Sequence, residues 1–416
     1  MNFVIFSYNF LPLNDAEGFC TARFANALAE SGHKVHVVTM DHPQQLPDDV
    51  VQELIPAVKR VTRVPSRKGK KCYLPRIIYQ TPEWDAIDYS ACIRTLRGVL
   101  KQYENPVLIS RMCPAASSIV AWHCRKHAKL WINHFSDPFP NYLKGGFLGK
   151  IMNKFTMRWA RRFLFDSDLC SITCNEVLQF FEEKFGKLNR KKFILVPHIG
   201  DPFLKAGVWE NPFNGKPFVA HTGNCYDGRY SKEIIREFEI LCKRGIAPGF
   251  LQAGGILDKD KKMLEESGIE FKYAQLTNPR MASAIFLQAD INLVADLKVN
   301  YGYTPFIPSK FVYLLFTDRP IVAFGRKDSW MYQLSKEYPE AGIGFADVDT
   351  PGELADVMEE YLSETVSPDR SRIRKIFAGT DIINTFIQKI SPAVFRAEQR
   401  TVAFFGVIMA LGPSFL

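Results

Sequence analysis

The sequence predicts an α/β protein of two successive domains built on parallel sheets, and three observations carry that prediction. Its 416 residues exceed what one hydrophobic core usually supports, which points to two domains of about 200 residues. Short apolar runs alternate with segments of helical period along most of the chain, as in βαβ units. The clearest unit lies at 288–324: residues 291–295 read as a strand buried on both faces, a loop rich in Gly and Pro follows, Phe311, Leu314 and Leu315 recur at helical spacing, and 321–324 read as the next strand. Pro308 stands where the first helical turn would begin. Ser309 and Lys310 then fall at the carboxyl edge of the sheet, where such folds bind ligands, and are placed to meet a phosphate or a sugar hydroxyl.

Taken in order, residues 3–8 read as a buried first strand, and the loop 9–19 leads into a helix from about residue 21 to 31 that stops at Gly32. The loop lacks Gly-x-Gly-x-x-Gly, which argues against a nicotinamide-binding domain. Residues 35–39 are the second strand. From 43 to 76 no period appears, and the basic residues from Lys59 to Arg76 point to an exposed basic loop. A helix over 91–103, a strand over 106–110, a helix over 115–127 and a strand over 129–133 follow. His134 and Asp137 sit in the loop after that strand, an imidazole and a carboxylate three residues apart, suited to orient or deprotonate a hydroxyl; equally, Asp before Pro starts turns and a loop histidine is often simply hydrogen-bonded.

The helix at 146–165 carries Phe147, Ile151, Phe155, Trp159 and Phe163 with Lys150, Lys154, Arg158, Arg161 and Arg162. That pattern suits a membrane interface, or a packed helix with a wet basic face. A strand at 169–173, a helix at 176–185 and a strand at 193–197 close the first domain. Residues 198–217, dense in Gly, Pro and Asn, read as the interdomain linker. Beyond it come a strand ending in Thr222-Gly223-Asn224, a helix over 231–244 with Arg229 and Lys232 at its start, a strand and turn over 249–255, a helix over 258–267, the central unit, and helices over 330–337, 351–362 and 369–377.

Composition bounds the function. Nine cysteines without a Cys-x-x-Cys pair indicate neither a disulfide framework nor a zinc site. The start, Met1 to Phe6, has no basic residue and no long apolar run, so no signal peptide is expected and the cytoplasm is the expected compartment. The apolar run 402–411 is about half the length needed to span a bilayer. The net charge of +9 is uneven: the first 200 residues carry +11 and the rest −2, which suggests that one domain faces an anionic partner or simply has a solvated basic surface. No zinc-finger spacing or RNA-binding aromatic signature accompanies the charge, so nucleic acid is not expected. An anionic membrane surface or a phosphate-bearing lipid acceptor fits better.

Several segments carry a family resemblance. Asp290-Ile291, Ile307 to Phe311, Tyr313-Leu314 and Asp318 to Ala323 resemble the donor-site segment of glycosyltransferases with the B-type fold, family 4-like, of group 1. Arg23, Ala27-Leu28-Ala29 and Gly32-His33 resemble the family's opening, Trp131 to Phe139 its Asp-Pro segment, Val196 to Asp201 its domain end, and His221 to Asn224 its Thr-Gly-Asn strand end. The resemblance implies two Rossmann-like domains facing across a cleft: an acceptor domain at 1–200, a nucleotide-sugar donor domain at 201–380, and a helix and tail at 381–416 crossing back to the first domain.

It also implies a role for each candidate. Gly18 lets backbone N–H groups approach the donor phosphate; Gly223, Asn224, Arg229, Lys232, Ser309, Lys310 and Tyr313 line the donor; His134 and Asp137 serve the acceptor hydroxyl or an oxocarbenium-like charge. Val312 and Thr304 stand where the family often has carboxylates, one of them on the ribose, which implies altered donor binding. The implied activity is transfer of a sugar from a nucleotide-diphosphate sugar to a glycan or lipid-linked acceptor in polysaccharide or glycolipid synthesis. No cofactor and no divalent metal are expected, because paired carboxylates are missing and basic groups with helix dipoles would stabilise the leaving diphosphate. A sugar-nucleotide epimerase of the same fold and an inactive binding subunit are the alternatives.

Overall fold

The computed structural model describes residues 1–65, 87–140, 146–201, 204–225, 231–297, 301–364 and 367–410. It divides into two compact units, Met1–Pro197 with Thr380–Leu416, and His198–Gly379.

The first unit is built on a seven-stranded sheet of β1 (Asn2–Ser7), β2 (Lys34–Met40), β3 (Arg60–Val64), β4 (Val107–Met112), β5 (Leu130–Phe135), β6 (Leu169–Ile172) and β7 (Phe193–Leu195). The order is β3-β2-β1-β4-β5-β6-β7 and every pairing is parallel, so the winding reverses between β1 and β4. Every residue of β4 and β5 is buried, which is why such strands read as apolar runs rather than alternating patterns. Helix Ala16–Glu30 starts earlier than its spacing suggested, because the Asp15 side chain accepts the Gly18 N–H at 2.6 Å and caps it. The last helix, Gly379–Ala410, packs Phe386 against Phe3 and Phe24 at ring distances of 6.4 and 5.6 Å. The side chains of the apolar run 402–411 lie outside the described residues. Among the described residues no helix is long and apolar enough to cross a membrane.

The stretch 43–76, read as a basic loop, holds helix Asp48–Leu54 and strand β3 before residue 66, where the description stops. In β3 only Val64 is buried, so an edge strand paired on one side carries neither an apolar run nor a clean alternation. The helix Gly146–Phe165 is present, and its stripe divides: Trp159 and Phe163 are buried core, whereas Ile151 is exposed.

The second unit is built on β8 (Phe218–Thr222), β9 (Gly249–Ala253), β10 (Phe271–Ala274), β11 (Ile291–Ala295), β12 (Ile321–Gly325) and β13 (Ile343–Asp347). Its parallel order, β10-β9-β8-β11-β12-β13, reverses between β8 and β11. Successive residues of β8 enter opposite cores, Val219 beside Phe238 and Leu293, Phe218 and Ala220 beside Phe213 and Leu251, as expected of a sheet covered on both faces. Phe213 belongs to the second of these cores, so part of the stretch 198–217 packs within this unit rather than running free. Strand β13 escaped the sequence reading. Its Gly344 breaks the apolar run, and the structure needs that glycine: a Cβ there would lie 2.7 Å from Val357 and 3.2 Å from Tyr361 of helix Glu353–Ser363.

Candidate functional site

In an open α/β sheet ligands bind outside the carboxyl ends of the strands where the winding reverses. In the second unit that place is between β8 and β11, and Lys310 reaches it from helix Ser309–Leu314. Lys310 Nζ lies 2.7 Å from His221 Nε2 on β8, and His221 Nδ1 lies 2.8 Å from Gln252 Oε1 on β9. Gln252 Nε2 donates in turn to the Gly223 carbonyl at 2.8 Å. Gly223 has φ +115°, a backbone conformation that favours glycine, and Lys310 Nζ lies beside it, 3.6 Å from where a Cβ would stand. The neighbouring Thr222 is buried and its Oγ1 has no hydrogen-bond partner among the described residues.

The other donor candidates divide. Ser309 opens the Lys310 helix, with Pro308 as its N-cap rather than its first helical residue. Asn224 is exposed, and its Oδ1 accepts the Gly255 N–H at 3.0 Å, tying two strand-end turns together. Lys232 is exposed in the first turn of helix Ser231–Lys243. Arg229 lies outside the described residues. Tyr313 is a correction: it is buried, its hydroxyl accepts the Leu204 N–H at 2.9 Å and lies 3.3 Å from Ser283 Oγ, so its polar end is spent inside the unit. Val312 is 0% exposed and Thr304 1%, with Thr304 Oγ1 3.4 Å from Asp328 Oδ1.

In the first unit the reversal lies between β1 and β4. There Arg111, on β4, pairs with Glu17, in the first turn of helix Ala16–Glu30, at 3.1 Å. Sheet register aligns Ser7, Arg111, His134 and Ser171 in one polar row across β1, β4, β5 and β6. His134 therefore stands within β5, not in the loop expected for it; it is 2% exposed, stacks on Phe24, and places Nδ1 2.9 Å from Ser171 Oγ. Asp137 is half-buried in the bend that follows. Gly18 lies in the first turn of helix Ala16–Glu30, where its N–H donates to the Asp15 cap and its φ is not left-handed. Sequence reasoning missed Arg111, His221 and Gln252. A charged or polar residue inside or directly after an apolar run was the available signal.

A model of Glycosyltransferase Family 4 matches residues 19–201. No curated protein sequence matches the chain. Among solved structures, TarM of S. aureus shares the fold with a TM-score of 0.66 at 10% identity, over 94% of this chain and 98% of its own. Anabaena HepE, in complex with UDP and glucose, gives 0.63 at 12% identity over 93% of this chain and 99% of its own. A putative UDP-N-acetylglucosamine 2-epimerase from Listeria monocytogenes gives 0.58 at 11% identity over 95% and 97%. Likeness at such identity speaks to fold, which hosts more than one chemistry. The chain thus resembles Glycosyltransferase Family 4 over residues 19–201 of its first unit and has, through both units, the two-sheet fold of the B-type glycosyltransferases.

Proposed function

We propose that the protein is a glycosyltransferase that moves a sugar from a nucleotide-diphosphate sugar, taken by the second unit, to a glycan or lipid-linked acceptor taken by the first. The observation that carries this reading is Lys310, held by His221 at the reversal of the second sheet, beside a glycine strand end. A cation fixed there meets a diphosphate. Lys232 adds to it: a lysine in a first helical turn opposes the helix dipole, and an anion relieves both positive ends. These groups would stabilise the charge developing on the leaving diphosphate, so the reaction proposed needs no divalent metal. Of the two acceptor-side candidates, Asp137 is the one retained to orient the attacking hydroxyl, since His134 is enclosed under Phe24.

Incubation with UDP-, GDP- and ADP-sugars, reading nucleoside diphosphate release with and without EDTA, tests the proposal. Release that survives EDTA and is weakened by Lys310→Ala about ten- to a hundred-fold in donor affinity is expected, the loss of one charge-assisted hydrogen bond. Epimer formation would move the assignment to an epimerase, and absence of both binding and turnover to a binding subunit. The basic first unit would also hold the protein on an anionic bilayer at the cytoplasmic face. Sedimentation with anionic liposomes should then weaken steeply as salt rises, and binding indifferent to salt and lipid charge would refute that placement.

A further inference from the structure

We infer that His221, itself held by Gln252, is the positioning residue that fixes Lys310 for the donor diphosphate, a role that rests on the reading of Lys310 just given. The chain of contacts runs Lys310 Nζ to His221 Nε2 at 2.7 Å, His221 Nδ1 to Gln252 Oε1 at 2.8 Å, and Gln252 Nε2 to Gly223 O at 2.8 Å. It ends in the backbone, where the Gly223 N–H donates to Ala253 O at 2.6 Å.

Each link has only one consistent direction. A lysine ammonium has donors and no acceptor, so His221 Nε2 must accept. The imidazole proton therefore sits on Nδ1 and donates to Gln252 Oε1. That leaves the Gln252 amide nitrogen to donate to Gly223 O, the arrangement observed. Tautomer and amide orientation are both set by the one charge at the end of the chain. His221 and Gln252 are each 1% exposed, so water does not compete for these bonds. The bond to His221 uses one of the three ammonium hydrogens. The lysine is thus tethered at the point where β8 and β11 part, instead of sampling the rotamers of a flexible side chain.

The test compares Lys310→Ala, His221→Phe, His221→Gln and the Lys310→Ala/His221→Phe double variant by calorimetric titration with UDP, GDP and ADP. Positioning predicts that His221→Phe weakens the bound nucleotide on the order of ten-fold, and that His221→Gln, which keeps an acceptor for the ammonium, recovers most of the loss. The double variant should bind no more weakly than Lys310→Ala alone, whereas damage to the core unrelated to Lys310 would add to it. A second readout needs no nucleotide: long-range ¹H–¹⁵N spectra of the histidine-labelled full chain should show His221 with its proton on Nδ1, and Lys310→Met should release it toward the other tautomer. Failure of the wild type to bind any of the three nucleotides overturns the donor reading. Binding by the wild type with undiminished affinity in His221→Phe, or a proton on Nε2 in the wild type, overturns the positioning role alone.

Discussion

Glu17 and Arg111 meet at 3.1 Å inside the first unit, with side chains only 9% and 3% exposed, and the guanidinium also lies 5.7 Å from the centre of the Phe24 ring. A buried pair of this kind adds little net stability over an apolar pair but is costly to break on one side. Glu17→Gln or Arg111→Met should each lower unfolding free energy by roughly 3–5 kcal/mol, and the double variant should cost clearly less than the two together. Urea denaturation of the three variants decides this, and simple additivity would mean that the two charges do not depend on one another.

Acid should loosen the first unit through its enclosed histidines. His36 lies on β2 with Nε2 2.8 Å from Thr62 Oγ1 and Nδ1 3.0 Å from the Tyr103 hydroxyl. Burial, and then the charge of Arg60, hold its pKa below the ordinary 6.5. His33 and His123, both partly buried, are lowered as well, burial again coming first. A folded imidazole with a depressed pKa binds fewer protons than the unfolded one, so its contribution is fully present above about pH 6.5 and is lost as pH falls toward the folded value. Asp15 runs the other way, since burial raises its pKa and the folded state takes up its proton first, but at lower pH. Urea midpoints should therefore fall from about pH 7 to about pH 5.5, and His36→Gln should flatten that slope. A slope unchanged in the variant would assign the acid sensitivity elsewhere.

Val312 stands where a ribose carboxylate is common in the family the sequence resembles, which makes Val312→Glu an obvious attempt at a stronger donor site. The structure argues against it. Val312 is 0% exposed, and its carbonyl lies 3.0 Å from where a Cβ on Gly200 would be. A carboxylate at this enclosed position would lose its hydration, at a cost on the order of 3 kcal/mol or more. Val312→Glu should unfold at a markedly lower temperature and bind nucleoside diphosphates no better; a gain in affinity at unchanged stability would show that the side chain reaches the ligand after all.

The regular architecture was legible because strands covered on both faces announce themselves as apolar runs, as residues 291–295 do in β11. What escaped was polar and long-range. The apolar run of β5 ends at Asn133, yet Asn133 Oδ1 accepts from the hydroxyls of Ser110 at 2.6 Å and Ser118 at 2.5 Å, and His134 meets Ser171, so the strand continues through both. Those partners come from neighbouring strands and a helix, and no local period reveals them. The same holds for the site. Lys310 was visible as a cation after a strand, whereas the histidine that holds it was 89 residues away and read only as part of a motif.

Arg370 offers the most direct link between packing and the site. It is 2% exposed and donates Nε to Ala341 O at 2.9 Å, Nη1 to Thr317 O at 2.6 Å and Leu314 O at 3.4 Å, and Nη2 to Arg319 O at 2.8 Å and Gly342 O at 3.5 Å. These carbonyls close helix Ser309–Leu314, lead into β12 and turn into β13, so one planar guanidinium ties the end of the Lys310 helix to the two strands beyond it. Burial pushes its pKa down to about 10, which leaves it charged at neutral pH and facing carbonyl dipoles, among them the negative end of that helix. Lysine cannot reproduce this fork, and methionine removes every donor. Arg370→Met should cost at least about 3 kcal/mol of stability and Arg370→Lys roughly half as much, since each buried acceptor left unpaired is worth about 1–3 kcal/mol. Arg374, which also donates to Thr317 O at 2.7 Å, and Thr317, whose Oγ1 and N–H donate to Leu314 O at 2.8 and 2.9 Å, keep those two acceptors satisfied in either variant, so the loss falls on the carbonyls of Arg319, Ala341 and Gly342. Native-state hydrogen exchange should accelerate first at the amides of residues 311–317 in Arg370→Lys, while the strands β8 and β9 stay protected. Uniform acceleration across the second unit would instead mean that the guanidinium supports the whole unit and has no special hold on the helix that carries Lys310.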